Sequence, residues 1–171
     1  SPDLRRHSVS YFLSPLLKHM SKDFEVHLVC LNQDTDEVTT KLAESVAYFH
    51  NAAKYSDDSL LNLLRDVNAT YGIDLAGHTA GNKINVFVRR FAQKQIAYLG
   101  YPNTTGVVGL DYRITDRYCD PDNALHGKEY TERLLLMPSS FITYERDIMP
   151  EIEVSLENAS IVYGSFNAPA K

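Results

Sequence analysis

Residues 98–116, YLGYPNTTGVVGLDYRITD, join two predicted strands through a loop that is rich in glycine, proline and hydroxyl side chains. Residues 95–99 form a short apolar strand, and residues 112–115 form a second strand that is followed by Asp116. Such a loop directly after a buried strand suits a site where backbone approaches a ligand closely, although most loops of this composition are simple turns. The stretch therefore predicts two strands with a candidate binding loop between them.

The remainder of the chain alternates between helix and strand patterns. Apolar residues at helical spacing predict a helix over residues 7–20, which Pro15 must kink or shift. Ser56 caps a second helix, in which leucines repeat on one face. The other predicted elements are helices at 36–45 and 82–90 and strands at 24–31, 46–50, 71–75 and 134–137. Strands that alternate with helices predict an α/β fold with a Rossmann-like parallel sheet, covered on both faces.

Composition limits the classes of protein to consider. The 171 residues allow one domain of ordinary size, and 44% hydrophobic with 23% charged residues is typical of a globular chain. A net charge of −5 and the lack of a dense basic run argue against a nucleic-acid partner. No apolar run approaches the ~20 residues of a membrane span, and residues 1–8 lack the apolar centre of a signal peptide.

The cysteines and histidines do not predict a metal site. Cys30 and Cys119 are far apart, and no histidine has ligand spacing with another His, Cys or carboxylate. Cys30 lies in an apolar strand and is expected to be a buried thiol in a reducing compartment, which favours a cytoplasmic protein. The sequence contains neither G-x-G-x-x-G nor a Walker motif, which argues against dehydrogenases and kinases.

Several polar residues follow the ends of predicted strands. In open α/β sheets, ligands bind outside the carboxyl ends of the strands. His78 and Thr79 follow strand 71–75, while loop 100–105 and Asp116 follow later strands, so these groups are expected to converge on one edge. His78 has the alternative role of bonding a neighbouring loop, and Asp74 is a structural or a functional carboxylate.

His7 lies just before the first predicted helix. A histidine at this position can act as a general base or bond a phosphate at the helix N-terminus. The alternative, which the residues alone favour, is a capping or surface histidine.

Four blocks of sequence together resemble one family, the protein O-GlcNAc transferases of the SPINDLY and bacterial type. The blocks are residues 1–9 (SPDLRRHSV), 74–79 (DLAGHT), 95–106 (QIAYLGYPNTTG) and 111–116 (DYRITD). The resemblance covers essentially the whole chain. It departs from the usual pattern at Tyr98, where the family has Trp, at Asn103, where it has Gly, and at Phe91 and Gln93, which replace prolines.

The resemblance implies an inverting glycosyltransferase that moves N-acetylglucosamine from UDP-GlcNAc to Ser or Thr hydroxyls of proteins, without a metal or another cofactor. It implies the N-terminal half of a GT-B enzyme, truncated at both ends: a lobe at residues 1–144 that lacks its first strand, a linker at 145–159, and the start of the C-terminal catalytic lobe at 160–171. The parent protein is expected to carry tetratricopeptide repeats. The isolated chain is expected to be inactive, because most nucleotide contacts in such enzymes belong to the C-terminal lobe.

The resemblance also assigns roles to residues. His7 matches the active-site histidine of the family, which faces the acceptor and the sugar. The implied substrate-binding residues are His78, Thr79, Leu99, Gly100, Pro102 and Thr104. Two other functions stay open: a non-catalytic protein-binding module on the same lobe, and another UDP-sugar enzyme such as an epimerase.

Overall fold

The computed structural model describes residues 1–121, 129–145 and 163–164. The helices are α1 Ser8–Met20, α2 Glu37–Glu44, α3 Asp57–Val67 and α4 Ile84–Val88. The strands are β1 His27–Cys30, β2 Tyr48–Asn51, β3 Tyr71–Asp74, β4 Lys94–Ala97, β5 Tyr112–Asp116 and β6 Arg133–Met137. The predicted α/β alternation is confirmed. The predicted linker and second lobe lie outside the described residues, except for Glu145, Tyr163 and Gly164.

Every strand pairing in the described part of the chain is parallel, as predicted. The strands form two sheets, β1-β2 and β3-β4-β5-β6, rather than the single sheet that was expected. An apolar cavity of about 700 Å³ lies between β1 and β3. Ser1 lines this cavity and pairs with β1: its amino group donates to the Val29 carbonyl at 2.9 Å, and the Leu31 amide donates to the Ser1 carbonyl at 2.9 Å.

Helix α1 packs on the β1-β2 sheet through its apolar face. Val9, Leu13 and Leu17 are buried against a core that includes Leu28 and Leu42. The helix is continuous through Pro15. The packing of α1 thereby places the residues just before the helix beside the carboxyl end of β1.

Two predicted elements are shorter than expected, for local reasons. Helix α4 begins at Ile84 because Asn82 bonds the Ile84 amide through Oδ1 and the Thr79 carbonyl through Nδ2, which makes a turn before the helix. Strand β1 begins at His27 because the Phe24 amide still bonds the Met20 carbonyl of α1 at 2.8 Å. In the described part of the chain, no helix is long and apolar enough to cross a membrane.

The side chain of Gln95, on β4, connects the end of α4 and the segments on either side of β4 through hydrogen bonds. The side chain is fully buried, and its Nε2 donates to the carbonyls of Phe87 at 2.8 Å and Gly109 at 2.6 Å. Its Oε1 accepts from the Phe91 amide at 3.1 Å. This one side-chain amide satisfies three backbone groups, two of them buried, and holds α4 against the segment that leads into β5.

Candidate functional site

A cleft of about 630 Å³ opens beyond the carboxyl ends of β1, β3 and β4. Four of the predicted residues line it: His7, Thr79, Leu99 and Gly100. The other three, His78, Pro102 and Thr104, and also Asp116, are not among its lining residues. The structure therefore brings the loops after β3 and β4 together, with the start of α1 as the opposite wall.

His7 is the N-cap of α1. Its ring Nδ1 accepts a hydrogen bond from the Val9 amide at 3.2 Å. A neutral imidazole that accepts at Nδ1 carries its proton on Nε2. Nε2 lies 3.9 Å from Asp3 Oδ1, and the 38% exposure of the His7 side chain leaves it accessible from the cleft. His7 therefore caps the helix and also presents an N–H donor.

Leu99 and Gly100 form a constrained wall of the cleft. Leu99 has φ +73°, and the Gly100 amide donates to the Tyr98 carbonyl at 3.0 Å, which is the bonding of a tight three-residue turn centred on Leu99. A leucine in this region is rare, and such strain is found most often at functional sites. A Cβ on Gly100 would lie 1.9 Å from the Leu75 carbonyl oxygen, so only glycine lets this loop cross the end of β3.

The turn after β3 is held by Asp74. This carboxylate accepts from the amides of Ala76 at 3.1 Å and Gly77 at 2.8 Å. Burial raises the pKa of Asp74, while the two amide bonds act to lower it. The Thr79 hydroxyl donates to the Ala76 carbonyl at 2.7 Å in the same turn. Asp74 thus has the structural role, and it places Thr79 at the cleft.

His78 bonds the neighbouring loop, which was the alternative role considered for it. Its Nε2 lies 2.7 Å from the Thr105 carbonyl oxygen, and its ring meets the Tyr101 ring edge-on at 5.3 Å. Because a carbonyl only accepts, Nε2 carries a proton, and in the neutral form of the ring Nδ1 has the lone pair. His78 and His7 are therefore protonated on Nε2, but only His7 uses Nδ1 to cap a helix.

Thr104 and Pro102 differ in orientation. The Thr104 hydroxyl donates to Glu132 Oε2 at 2.7 Å and lies 3.1 Å from Thr131 Oγ1, whereas Pro102 is exposed. Thr104 therefore faces the interior beneath the loop. No role was predicted for Glu132, which is 28 residues away from Thr104 in the chain.

The loop after β1 forms a further wall of the cleft that was not predicted from the sequence. Asn32, Gln33 and Asp34 line the cleft there, and Arg5 adds a cation. Asn32 Oδ1 accepts from the Cys30 thiol at 2.9 Å, and burial raises the pKa of that thiol. The rule that ligands meet the carboxyl ends of strands, applied to β1, would have found this loop.

Two arginines near the end of α4 form ion pairs away from the cleft. Arg89 pairs with Asp58, and Arg90 pairs with Asp111 through both carboxylate oxygens at 2.5 and 2.7 Å. Within the described residues, no group of three His, Cys, Asp or Glu side chains could hold a metal ion.

Comparison with known proteins connects this geometry to one family. The family model described as Glycosyl transferase family 41 matches residues 1–162. The tomato (Solanum lycopersicum) protein named "Probable UDP-N-acetylglucosamine--peptide N-acetylglucosaminyltransferase SPINDLY" is 33% identical over all of this chain, which spans 19% of that relative. The Arabidopsis thaliana protein of the same named activity called SEC is 26% identical over 82% of this chain and 14% of its own length.

The fold is also similar to that of a solved enzyme. A mutant of Thermobaculum terrenum O-GlcNAc transferase superposes with a TM-score of 0.78 and 28% identity, over 83% of this chain and 27% of that chain. The match confirms the α/β fold with parallel strands as that of an O-GlcNAc transferase of GT-B type. Since the family model matches nearly the whole sequence, the chain belongs to glycosyl transferase family 41.

Proposed function

We propose that this chain forms part of the active site of a transferase that moves N-acetylglucosamine from UDP-GlcNAc to Ser or Thr hydroxyls of proteins, with inversion and without a metal ion. The names of its relatives and its family membership support the donor and acceptor. The observation that carries the proposal is the convergence of His7, Thr79, Leu99 and Gly100 on one cleft. A C-terminal catalytic lobe is the proposed partner that completes the site.

In the proposed reaction, the acceptor hydroxyl oxygen attacks C1 of the sugar and the bond from C1 to the UDP oxygen breaks. The hydroxyl proton is taken up by an oxygen of the departing diphosphate, and the remaining negative charge on that diphosphate must be stabilised. While Nδ1 of His7 caps α1, its Nε2 donates a hydrogen bond rather than accepting a proton. We therefore assign His7 to donate to a substrate oxygen, beside the N-terminus of α1, where negative charge is favoured.

The test uses a chimera in which this chain replaces the matching part of the Thermobaculum terrenum O-GlcNAc transferase. Label transfer from UDP-GlcNAc to a Ser/Thr peptide pool is measured for wild type, His7→Ala and His7→Ser. Both substitutions are expected to lower transfer on the order of 100-fold, because both remove the ring donor. Only His7→Ala should also lower stability, by about 1 kcal/mol, because serine keeps a capping oxygen.

The control is His19→Ala, which removes a histidine from the exposed last turn of the same helix and should leave transfer unchanged. Full transfer by His7→Ser would leave His7 with a capping role alone. A chimera that binds UDP-GlcNAc without transfer would favour the binding module. Conversion of the sugar nucleotide without an acceptor would favour the epimerase.

A further inference from the structure

Two buried charged side chains lie directly beneath the loop of residues 100–106. Arg113, on β5, and Glu132, just before β6, are each 3% exposed. Charged groups are rarely buried to this extent unless they are paired or hydrogen-bonded, because they lose their hydration. Both side chains have such partners, although Nε of Arg113 has none among the described residues. Their hydrogen-bond partners therefore show what holds them in the interior.

The Glu132 carboxylate takes its partners from the loop and from one neighbour. It accepts from the Thr105 amide at 2.8 Å, the Thr104 hydroxyl at 2.7 Å and the Thr131 hydroxyl at 3.0 Å, and also from the Thr105 hydroxyl. Burial acts to raise the pKa of Glu132, but the bonds from the two loop threonines prevail and lower it. The side chain is thus an ionised acceptor for this loop.

Arg113 holds the other half of the same loop. One of its terminal nitrogens, Nη1, donates to the Tyr101 carbonyl at 2.7 Å and to the Asn103 carbonyl at 3.0 Å. The guanidinium also lies over the Tyr130 ring, 5.7 Å from its centre. Arg113 and Glu132 thereby satisfy backbone groups of the loop that would otherwise need water.

The held loop in turn fixes His78. Glu132 binds the amide and the hydroxyl of Thr105, and the carbonyl of Thr105 accepts the Nε2 proton of His78. Across the loop, Gly100 lines the cleft, and so does Thr79, the residue next to His78. A single residue, Thr105, therefore connects the buried carboxylate with the ring of His78, which precedes the cleft-lining residue Thr79.

We propose that Glu132 is a positioning residue that holds Thr105 and through it orients His78 for the reaction, with the Nε2 proton of His78 directed at the Thr105 carbonyl, while Arg113 holds the preceding part of the same loop. The catalytic consequence rests on the proposed transferase function. The orientation of His78 is a property of this chain and can be measured without catalysis.

The first measurement uses the ¹⁵N-labelled 171-residue chain and nuclear magnetic resonance. In the wild type, the His78 Nε2–H is expected to give a visible signal that exchanges slowly, since it is hydrogen-bonded, and the Thr105 amide should be protected from exchange. Glu132→Ala should abolish both features while amides of β1 and β2 stay unchanged. Glu132→Gln should retain part of both, because its amide oxygen can accept from Thr105 and its NH₂ can donate to Thr104.

The matched control is Glu44→Gln, which removes the same charge from an exposed position in α2. If Glu132→Ala does not fold, Glu132→Gln and Thr105→Val decide the question, since valine removes the hydroxyl bonds to the Glu132 carboxylate and the Val107 amide but keeps the Thr105 amide bond to Glu132. A folded Glu132 variant whose His78 and Thr105 signals match the wild type would overturn the proposal.

The second measurement is transfer by the chimera. Glu132→Ala is expected to lower kcat on the order of 100-fold with a smaller change in KM, because a misplaced group near the reacting atoms costs rate rather than binding. Glu132→Gln should recover part of kcat. Lost His78 and Thr105 signals together with an unchanged kcat would overturn the positioning role. If the wild-type chimera shows no transfer, the proposed function fails, and the magnetic resonance data still decide whether Glu132 orients His78.

Discussion

The two walls of the cleft are built in different ways. The wall that contains His7 rests on the β1-β2 sheet and is held by several separate bonds. Thr39 Oγ1 donates to the Leu4 carbonyl at 2.7 Å, Ser10 Oγ donates to the Asp3 carbonyl at 2.7 Å, and the Arg6 amide donates to the half-buried Asp36 carboxylate at 2.7 Å. The wall that contains Leu99 and Gly100 rests on the other sheet and depends on backbone strain, close contact and buried charge. Single substitutions in the first wall should therefore cause moderate losses in the free energy of unfolding. A single substitution in the second wall should cause a large loss.

The largest effect is expected at Gly100. Gly100→Ala places a Cβ 1.9 Å from the Leu75 carbonyl oxygen, which is backbone and cannot swing away. We expect a loss of about 3 kcal/mol or more in the free energy of unfolding, measured by urea denaturation.

Gly106→Ala is the matched control in the same loop. Gly106 has φ +67°, and an added Cβ would have no atom within 4 Å. Alanine should therefore lower the free energy of unfolding only through backbone strain, by about 1 kcal/mol. Equal losses for the two variants would contradict the claim that close contact dominates this wall.

An intermediate effect is expected on the other wall. Thr39→Val removes the hydroxyl that donates to the Leu4 carbonyl and that accepts from the Asp36 amide at the start of α2, so both backbone groups lose this partner. The free energy of unfolding should fall by roughly 1–2 kcal/mol. Thr39→Ser, which keeps the hydroxyl, should recover most of this loss in urea titrations. If the valine variant were as stable as the wild type, hydroxyl fastening would not be what holds the first wall.

The smallest effect is a pH dependence confined to the β1-β2 sheet. His27 Nδ1 lies 3.0 Å from His50 Nε2 across these strands, beside Tyr48 and Glu25. Burial and the neighbouring His27 lower the pKa of His50. The unfolded chain therefore takes up a proton on His50 near pH 6.5 that the folded chain binds less readily, so the contribution of His50 to stability is constant at higher pH and falls as pH drops below this value.

Amide hydrogen exchange from pH 7.5 to 5.5 separates the two walls. After correction for intrinsic rates, β1 and β2 should open more readily at the lower pH, while β3 to β5 should not. His50→Gln keeps hydrogen-bonding capacity without a titrating ring and should reduce the difference. An equal response in both sheets would show that the pH dependence is global.

Local patterns in the sequence predicted most of the fold, and the residues that hold the site were the hardest to predict. Ser56 as a helix cap and the apolar strands are local features, so periodicity identifies them. Glu132 acts on Thr105 across 27 residues, and Arg113 is a charge in a strand whose burial no periodicity indicates. The positive φ of Leu99 follows from how β4 meets β3, which only the assembled sheet determines.

Arg113 donates hydrogen bonds to the backbone carbonyls of residues 101 and 103 and not to their side chains. The path of the loop is thus largely independent of which side chains stand at its tip, where Pro102 and Asn103 are exposed. Those two positions form a natural site for directed evolution, because a library there can vary what the loop presents while its support stays intact. Asp or Ser at 103 would be the most conservative members, since each keeps an oxygen for the Thr104 amide that Asn103 Oδ1 now binds at 2.8 Å.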